Sequence, residues 1–470
     1  MPPIPTLIDD KLHVAHRDLP DGASESIVEA LTIPNLVREK AKKMDEWGWQ
    51  QLPAWIHLWG NDEEGRLTMP RGFLDRYATG MEAFGGDVQL VEGRHWKQSF
   101  RIGNKIELRP WQVGQVQTLL EWEQGILKAP AGSGKTVSIL AAIQRLACKS
   151  LIIVNTKDII WQWQSRAKQF LGEHYPVGQI GDGKFDVSPY MTIATAQTLH
   201  SRFDELVSSG FFDEFSFVCL DECHHATAET YNKILGRFSS RYRTGVSATP
   251  DKTGDFELAT NVLGPVIHTV RPDQVDSLQK PTVLKIPTRF GFGFRGHKNR
   301  YQRSNYGEMI TSLINDPERN LLIRNWIWEF RGHHQILVTK RLEHIKILED
   351  LIWESWDEEV LTLTGQDSND HRDEAVERIG SRPGILLSTL ADEALDIPRL
   401  DVMHLVFPQR NPGLVTQQVG RVERKHPDKK NAWILDYTDG NVGALDAQWK
   451  VRRLEVYMPR GYKIEIRRQK

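Results

Sequence analysis

Cysteine is scarce, with three residues (Cys148, Cys219 and Cys223) in a chain of 470. That number excludes a disulfide framework and predicts a reducing, cytoplasmic setting. No apolar run approaches the ~18 residues that a membrane-spanning helix needs, so no membrane partner is expected. The opening MPPIPTLIDDKLHVAHRDLPD lacks both a basic start and an apolar stretch, and no secretory signal is read in it. A surplus of one charge is missing too, since 60 Lys and Arg face 62 Asp and Glu, a formal net of −2. A nucleic-acid partner is neither required nor excluded by this balance, and local patches would have to hold it. No repeat at solenoid or propeller spacing and no low-complexity tract is present. What remains is 40% hydrophobic and 26% charged, the balance of an ordinary globular protein. The length suits two or three domains of roughly 150 residues each.

Residues 1–100 differ from the rest. They hold Pro2, Pro3, Pro5, Pro20, Pro34, Pro53 and Pro70, and the tryptophans Trp47, Trp49, Trp55, Trp59 and Trp96. A helix is expected from Asn35, whose side chain can cap it, through LVREKAKKMDEW. Short strands and turns follow around Gly60-Asn61, Gly72 and Gly85-Gly86, which gives a small accessory α+β domain with a possible nucleic-acid-binding role. Its tryptophans read as core rather than as a base-stacking platform. Beyond residue 101, short apolar runs alternate with helical stretches: GILKAP, SLIIVNT, MTIAT, FSFVCL and RTGVSAT, then HQILVTK, VLTLTG, GILLSTL, DVMHLVFP and NAWILDY. Continuous apolar runs suit strands buried on both faces, and their alternation with helices predicts parallel sheets. The expected division is an α/β lobe over 101–280, a second over 281–445 and a basic extension over 446–470.

The sharpest local signal is APAGSGKT, Ala129 to Thr136, between the strand GILK and the helical pattern VSILAAIQRLA. Strand, glycine-rich loop and helix in that order make a phosphate-binding loop. The backbone of Ala131, Gly132, Ser133 and Gly134 would close around phosphates, Lys135 would pair with the β/γ-phosphates and Thr136 would ligate magnesium. Downstream, FSFVCL ends in DECHH. Asp221 would hold the magnesium through water and Glu222 would orient and deprotonate an attacking water. Structural zinc on Cys219, Cys223, His224 and His225 is disfavoured, because Cys219 lies within the strand and no second Cys/His pair exists elsewhere. His224 is placed to relay nucleotide state, and the hydroxyls of Ser247 and Thr249 in SATP to link the hydrolytic acids to the other lobe. In QQVGRVERK, Gln417, Arg421 and Arg424 are expected on one helical face, with the arginines able to reach a γ-phosphate. A solvated basic helix is the plain alternative.

Taken together, LRPWQ, APAGSGKT, VNTKDIIWQW, TAQTL, DECHH, SATP, ILVTKR, STLADEALDIP and QQVGRVER resemble the motif series of the superfamily 2 helicases, in order, from about Leu108 to Thr438. LRPWQ, DECHH and the QxxGRxxR pattern are similar to the DExH DNA translocases of the XPB, RadD and phage UvsW type. LTMPRGF looks like a segment ahead of the motor in phage-encoded members, which would place such a protein in the host cytoplasm. The resemblance implies two tandem RecA-like lobes, ATP and Mg2+ as cofactors, and DNA or RNA as partner. It also implies that Gln112 reads the adenine edge with Arg109 nearby, and that Asp396 contacts the ribose or couples it to the arginines. Thr156, Thr195 and Gln197 in the first lobe, and Thr339, Thr364 and Thr389 in the second, would lie along the nucleic-acid backbone. Ala394 departs from the glycine of many relatives. The family suggests 3′→5′ movement.

Between the lobes, RFGFGFRGHKNRYQR (Arg289 to Arg303) has five Lys/Arg and no acid, with Phe290, Phe292 and Phe294 alternating with glycine or arginine neighbours. Arg295, Lys298, Arg300 and Tyr301 suit a surface that tracks a strand, with phosphates on cations and a base on the ring. An edge strand packing its Phe face inward is the equal alternative. The tail from Lys450 to Lys470 is a further possible phosphate contact or a solubilising surface. The leading expectation is an ATP-driven helicase or translocase that remodels duplex or branched DNA in repair, recombination or replication. The alternatives are an ATP-gated RNA/DNA clamp and the motor subunit of a restriction or defence system.

Overall fold

A computed structural model of the chain describes residues 3–43, 49–98, 106–224, 229–248, 256–276, 278–293, 302–353, 359–390, 395 and 397–467. Thr249, Arg295, Lys298, Arg300, Tyr301 and Asp396 lie outside these residues, as do His225, Phe294 and Ala394. The chain divides into two units, 1–130 with 134–271 and 131–133 with 272–470.

The first unit opens with a five-stranded sheet in the order Gly60–Asn61, Leu67–Pro70, Lys11–Val14, Ile4–Ile8, Val88–Glu92. Ile4, Ile8, Leu12, Val14, Leu67, Met69 and Tyr77 fill its core. Asn35 caps the helix Leu36–Lys43 as expected, accepting from the Arg38 N–H at 3.2 Å. The tryptophans do not make this core. Trp55 is 53% exposed and Trp96 38% exposed, Trp59 sits at the rim, and Trp47 lies outside the described residues. Aliphatic side chains already fill the inward positions of so small a sheet. Trp55 is carried instead on a two-stranded ribbon with Thr32–Pro34, and Arg38 and Lys42 stack on the Trp49 ring.

Strand Leu67–Pro70 runs into Arg71, which is wholly buried. Its guanidinium donates to Gln124 Oε1 (2.6 Å) and to the carbonyls of Ser240 (2.6 Å), Arg241 (3.1 Å) and Asp9 (3.2 Å). At Gly72 a Cβ would lie 2.3 Å from the Thr260 carbonyl oxygen, so only glycine fits. The Pro-Arg-Gly segment thus plugs the N-terminal sheet onto the strand that leads to the phosphate loop. Arg71→Ala would leave these acceptors unsatisfied in a dry site, a loss of about 3 kcal/mol or more. Thermal melts of wild type and variant should show a lower transition, and an unchanged one would refute the docking role.

The α/β part of this unit is an eight-stranded sheet. Its order is Lys184–Asp186, Val177–Gly181, Met191–Thr195, Ser150–Val154, Phe217–Asp221, Tyr242–Ser247, Gln124–Lys128, Val266–Thr269. Every pairing is parallel except that of Lys184–Asp186. The apolar runs are strands for the reason the sequence suggested. Ile152 and Val154 enter one core, with Ile139 and Trp163, while Leu151 and Ile153 enter another, with Phe215 and Phe238. Alternate side chains on opposite faces, both covered by helices, leave no polar positions in such a strand.

The second unit repeats the plan with seven parallel strands: Glu359–Leu363, Gly384–Ser388, His334–Val338, Val402–Leu405, Trp433–Thr438, Thr282–Pro287, Lys463–Ile466. Ile336 and Leu337 again point into different cores. Of the basic segment 446–470, the described residues to 467 are built into this unit rather than trailing from it. Lys463–Ile466 is its edge strand, and Arg452 and Tyr457 bond the buried Asp436 carboxylate. Apolar Val456, Tyr457 and Tyr462, set among the charges, are what draw it in. Phe290 is also core, 3% exposed among Met309, Ile310, Leu313 and Val442, with Phe292 packed beside it.

Candidate nucleotide and nucleic-acid site

The loop after Gln124–Lys128 enters the helix Lys135–Leu146 through two glycines in the left-handed region, Gly132 (φ 77°) and Gly134 (φ 82°). At Gly134 the requirement is double, because a Cβ would also lie 2.4 Å from Gln112 Nε2. That Gln112 amide donates to the Gly134 carbonyl (3.2 Å), and its oxygen accepts from the Arg109 N–H (2.9 Å). Gln112 and Arg109 are therefore tied to the phosphate loop by the start of helix Pro110–Trp122. Lys135 Nζ rests on the Ala129 carbonyl at 3.3 Å, and Thr136 follows it in the first helical turn.

Register brings the acids beside this loop. Lys128 pairs with Ser247 and Asp221 with Val246, so three adjacent parallel strands present Lys128, Ser247 and Asp221 at their carboxyl ends. Ligands of open α/β sheets bind at that end. Asp221 Oδ2 accepts from the Trp163 indole N–H (2.7 Å), and Oδ1 from the Glu222 N–H (2.9 Å). Burial, with Glu222 alongside, pushes the Asp221 carboxyl up to about 6. Burial would raise Glu222 too, but the Lys135 ammonium, His224 and Ser247 outweigh it and hold the carboxyl below its ordinary range. Glu222 has φ 47°, a left-handed conformation that costs a non-glycine residue about 1–2 kcal/mol. His224 Nδ1 lies 3.1 Å from Ser247 Oγ and 3.3 Å from Glu222 Oε2, and the Ser247 hydroxyl donates to the same Oε2 at 3.3 Å. The strained turn is thus closed by a three-membered polar contact. Cys219 and Cys223 are fully buried in cores on opposite faces of the sheet, which removes the geometric basis for zinc between them. The His/Cys/Asp/Glu grouping with metal-ligand spacing among the described residues is Asp9, Asp10 and His13, where both His13 nitrogens already meet carboxylates.

The threonines also sit at carboxyl ends of strands. Thr156 precedes the helix Lys157–Leu171, and its Oγ1 is enclosed with no hydrogen-bond partner among the described residues. Thr195 caps the helix Ala196–Ser201 and bonds the Thr198 hydroxyl, with Gln197 exposed beside it. In the second unit Thr339 is fully buried, its hydroxyl held against His344 Nδ1. Thr364 bonds Asp367 through hydroxyl and N–H, and Thr389 donates its N–H to the Leu363 carbonyl.

Gln417, Arg421 and Arg424 do not share one helical face. Helix Pro412–Val419 holds Gln417 only, and the chain continues as a tight turn in which the Arg421 and Val422 N–H groups bond Gln418 and Val419 carbonyls. Arg424 then bridges Leu278, so tertiary pairing pulls the chain off the helix axis. The Arg421 guanidinium donates to the Leu395 carbonyl at 3.0 Å. Sequence reasoning missed Trp163 as the partner of Asp221, although an indole in IIWQW was the available signal. It also missed Lys429, whose ammonium bonds the Val422 and Arg424 carbonyls from within a tract that reads as solvated.

Two family models match the chain, "Type III restriction enzyme, res subunit" over residues 105–252 and "Helicase conserved C-terminal domain" over 318–426. The chain is 25% identical over 375 residues to the DNA 3'-5' translocase XPB2 of Sulfurisphaera tokodaii, covering 72% of this chain and 83% of that protein. It is 22% identical over 421 residues to the ATP-dependent DNA helicase uvsW of Enterobacteria phage T4, covering 86% and 78%. The structure of S. cerevisiae Dbp5 bound to RNA and ADP BeF3 shares the fold, with a TM-score of 0.54 and 12% identity over 77% of this chain and 89% of that one. With the motifs in order and a parallel α/β sheet carrying each set, the protein belongs to the superfamily 2 helicases, the nucleic-acid-dependent ATPases built on two RecA-like lobes.

Proposed function

We propose that the protein is an ATP-driven translocase on DNA that remodels duplex or branched DNA in repair, recombination or replication. The observation that carries the chemistry is the closed contact of Glu222, His224 and Ser247 on strand ends adjoining the phosphate loop. In this reading the loop 131–134 and Lys135 bind the phosphates, and Arg109 and Gln112 hold the adenine side. Glu222, anionic through Lys135 and its polar neighbours, takes the proton of the attacking water. Arg421 and Arg424, with Gln417 and Asp396, meet the charge developing on the γ-phosphate.

The residues fit a magnesium ion. Asp221 is a half-buried carboxylate raised by burial and by a second acid, a position that a divalent cation relieves, and Thr136 adds a hard hydroxyl oxygen. Magnesium there would neutralise phosphate charge. Ser247, and Thr249 with it, would pass the state of Glu222 and His224 onward.

DNA is preferred over RNA because XPB2 and uvsW, relatives that match most of this chain, are named for DNA. Thr156, whose hydroxyl has no partner among the described residues, and Thr195, Gln197, Thr364 and Thr389 would meet the backbone, as would Arg295, Lys298, Arg300 and Tyr301. The Thr339 hydroxyl, spent on His344, would shape its loop instead. A clamp that grips without moving is the competing reading. Displacement of a labelled third strand from a triplex ahead of the protein should occur with ATP and fail with a non-hydrolysable analogue. Retention on DNA without displacement would identify the clamp.

A further inference from the structure

The turn that carries the arginines is held from behind at three successive carbonyls, those of Val422, Glu423 and Arg424. Helix Pro412–Val419 ends just before it, and the last carbonyls of a helix have no partner within the helix. Lys429 Nζ donates to the Val422 carbonyl at 2.5 Å and to the Arg424 carbonyl at 2.8 Å. The Glu423 carbonyl between them accepts from the Gln279 N–H at 2.5 Å. Its side chain is gripped as well, by Arg460 Nη1 at 2.8 Å to both carboxylate oxygens and by the Tyr462 hydroxyl at 2.5 Å.

Burial divides the turn into two sides. Val422 is fully buried and Glu423 3% exposed, whereas Arg421 and Arg424 are only half-buried. Lys429 is itself 8% exposed, and its two hydrogen bonds go to main-chain carbonyls. Burying an ammonium in this way is costly, and burial lowers its proton affinity accordingly, to a pKa of about 8. An aliphatic side chain would fill the same space without that cost. What the ammonium adds is direction, because it fixes the peptide plane before Glu423 and the one after Arg424, and peptide planes set where the side chains between them leave the backbone.

We propose that Lys429 is a positioning residue for ATP hydrolysis, acting with Glu423, Arg460 and Tyr462 to fix the turn that aims Arg421 and Arg424. The inference rests on the reading of Arg424 given above as a group that meets transition-state charge. A guanidinium that is free to swing must be ordered in each turnover, and small errors in placement are expensive in rate. Losing the clamp therefore slows the chemical step and leaves nucleotide binding nearly as it was.

The test is steady-state ATPase of the full chain with saturating single-stranded DNA, for Lys429→Met, Arg424→Ala and the double variant. Lys429→Met should lower kcat about tenfold, with the KM for ATP within about twofold, the pattern of a group felt only in the transition state. In the Arg424→Ala background the same change should cost less than about twofold, because residues acting through one another are not additive. Equal factors in both backgrounds, or a wild-type kcat for Lys429→Met, would overturn the clamp. A wild-type kcat for Arg424→Ala would overturn the reading of Arg424 itself. Should Lys429→Met fail to fold, judged by its thermal melt, Tyr462→Phe carries the same cycle, since it removes a single hydrogen bond from Glu423. Its expected loss is about threefold in the wild-type background and none beside Arg424→Ala.

Discussion

Glu222→Gln is expected to lower DNA-stimulated ATP hydrolysis by about 10²–10⁴-fold, the contribution of a positioned general base. The substitution keeps size and shape but removes the carboxylate proposed to accept the water proton. Lys135 and Thr136 are untouched, so ATP should bind with near wild-type affinity and remain uncleaved. The Ser247 hydroxyl still finds an oxygen on the glutamine amide, so the strained turn at φ 47° should persist. Phosphate release and fluorescent-nucleotide binding on the same preparation separate the two effects. Hydrolysis near the wild-type rate would remove Glu222 from the mechanism and leave Asp221 as the acid to examine.

Arg424→Ala is expected to cost about 10³-fold in kcat, as loss of an arginine that meets phosphoryl-transfer charge does, with little change in ATP affinity. Arg424 is half-buried at the end of a turn whose backbone is pinned, so its removal leaves no large cavity. Arg410 is exposed and lies outside the motif, and Arg410→Ala is the matched control. An equal loss from Arg410→Ala would mean general destabilisation rather than a role in the chemistry.

What the sequence disclosed follows from what kinds of order are local. SLIIV and MTIAT are legible as doubly covered strands because burial on both faces forbids alternation, and each lies in the interior of a sheet. The phosphate loop is legible because its glycines answer to local backbone angles, and Gly132 and Gly134 do adopt positive φ. Long-range pairing is not encoded so visibly. The helical repeat placed Arg421 and Arg424 on one face, but the bridge from Leu278 ends the helix early. Charge set 446–470 apart, yet strand Lys463–Ile466 completes the second sheet through a pairing with residues 181 positions earlier. The tryptophans read as core by hydrophobicity, while burial capacity in a five-stranded sheet was already used by Leu12, Met69 and Tyr77. Arg71 was legible only as one letter of a tripeptide, and its four acceptors come from three distant stretches.

Central to this account is that nucleic acid controls the chemistry at Glu222. The most direct measurement is phosphate release by the wild-type chain, with ATP and Mg2+, in the absence of nucleic acid and with saturating single-stranded DNA. The predicted result is a stimulation of about tenfold or more, equal to ~1.4 kcal/mol off the barrier, which Glu222→Gln abolishes. Equal rates with and without DNA, in a preparation that binds both ATP and DNA, would contradict it.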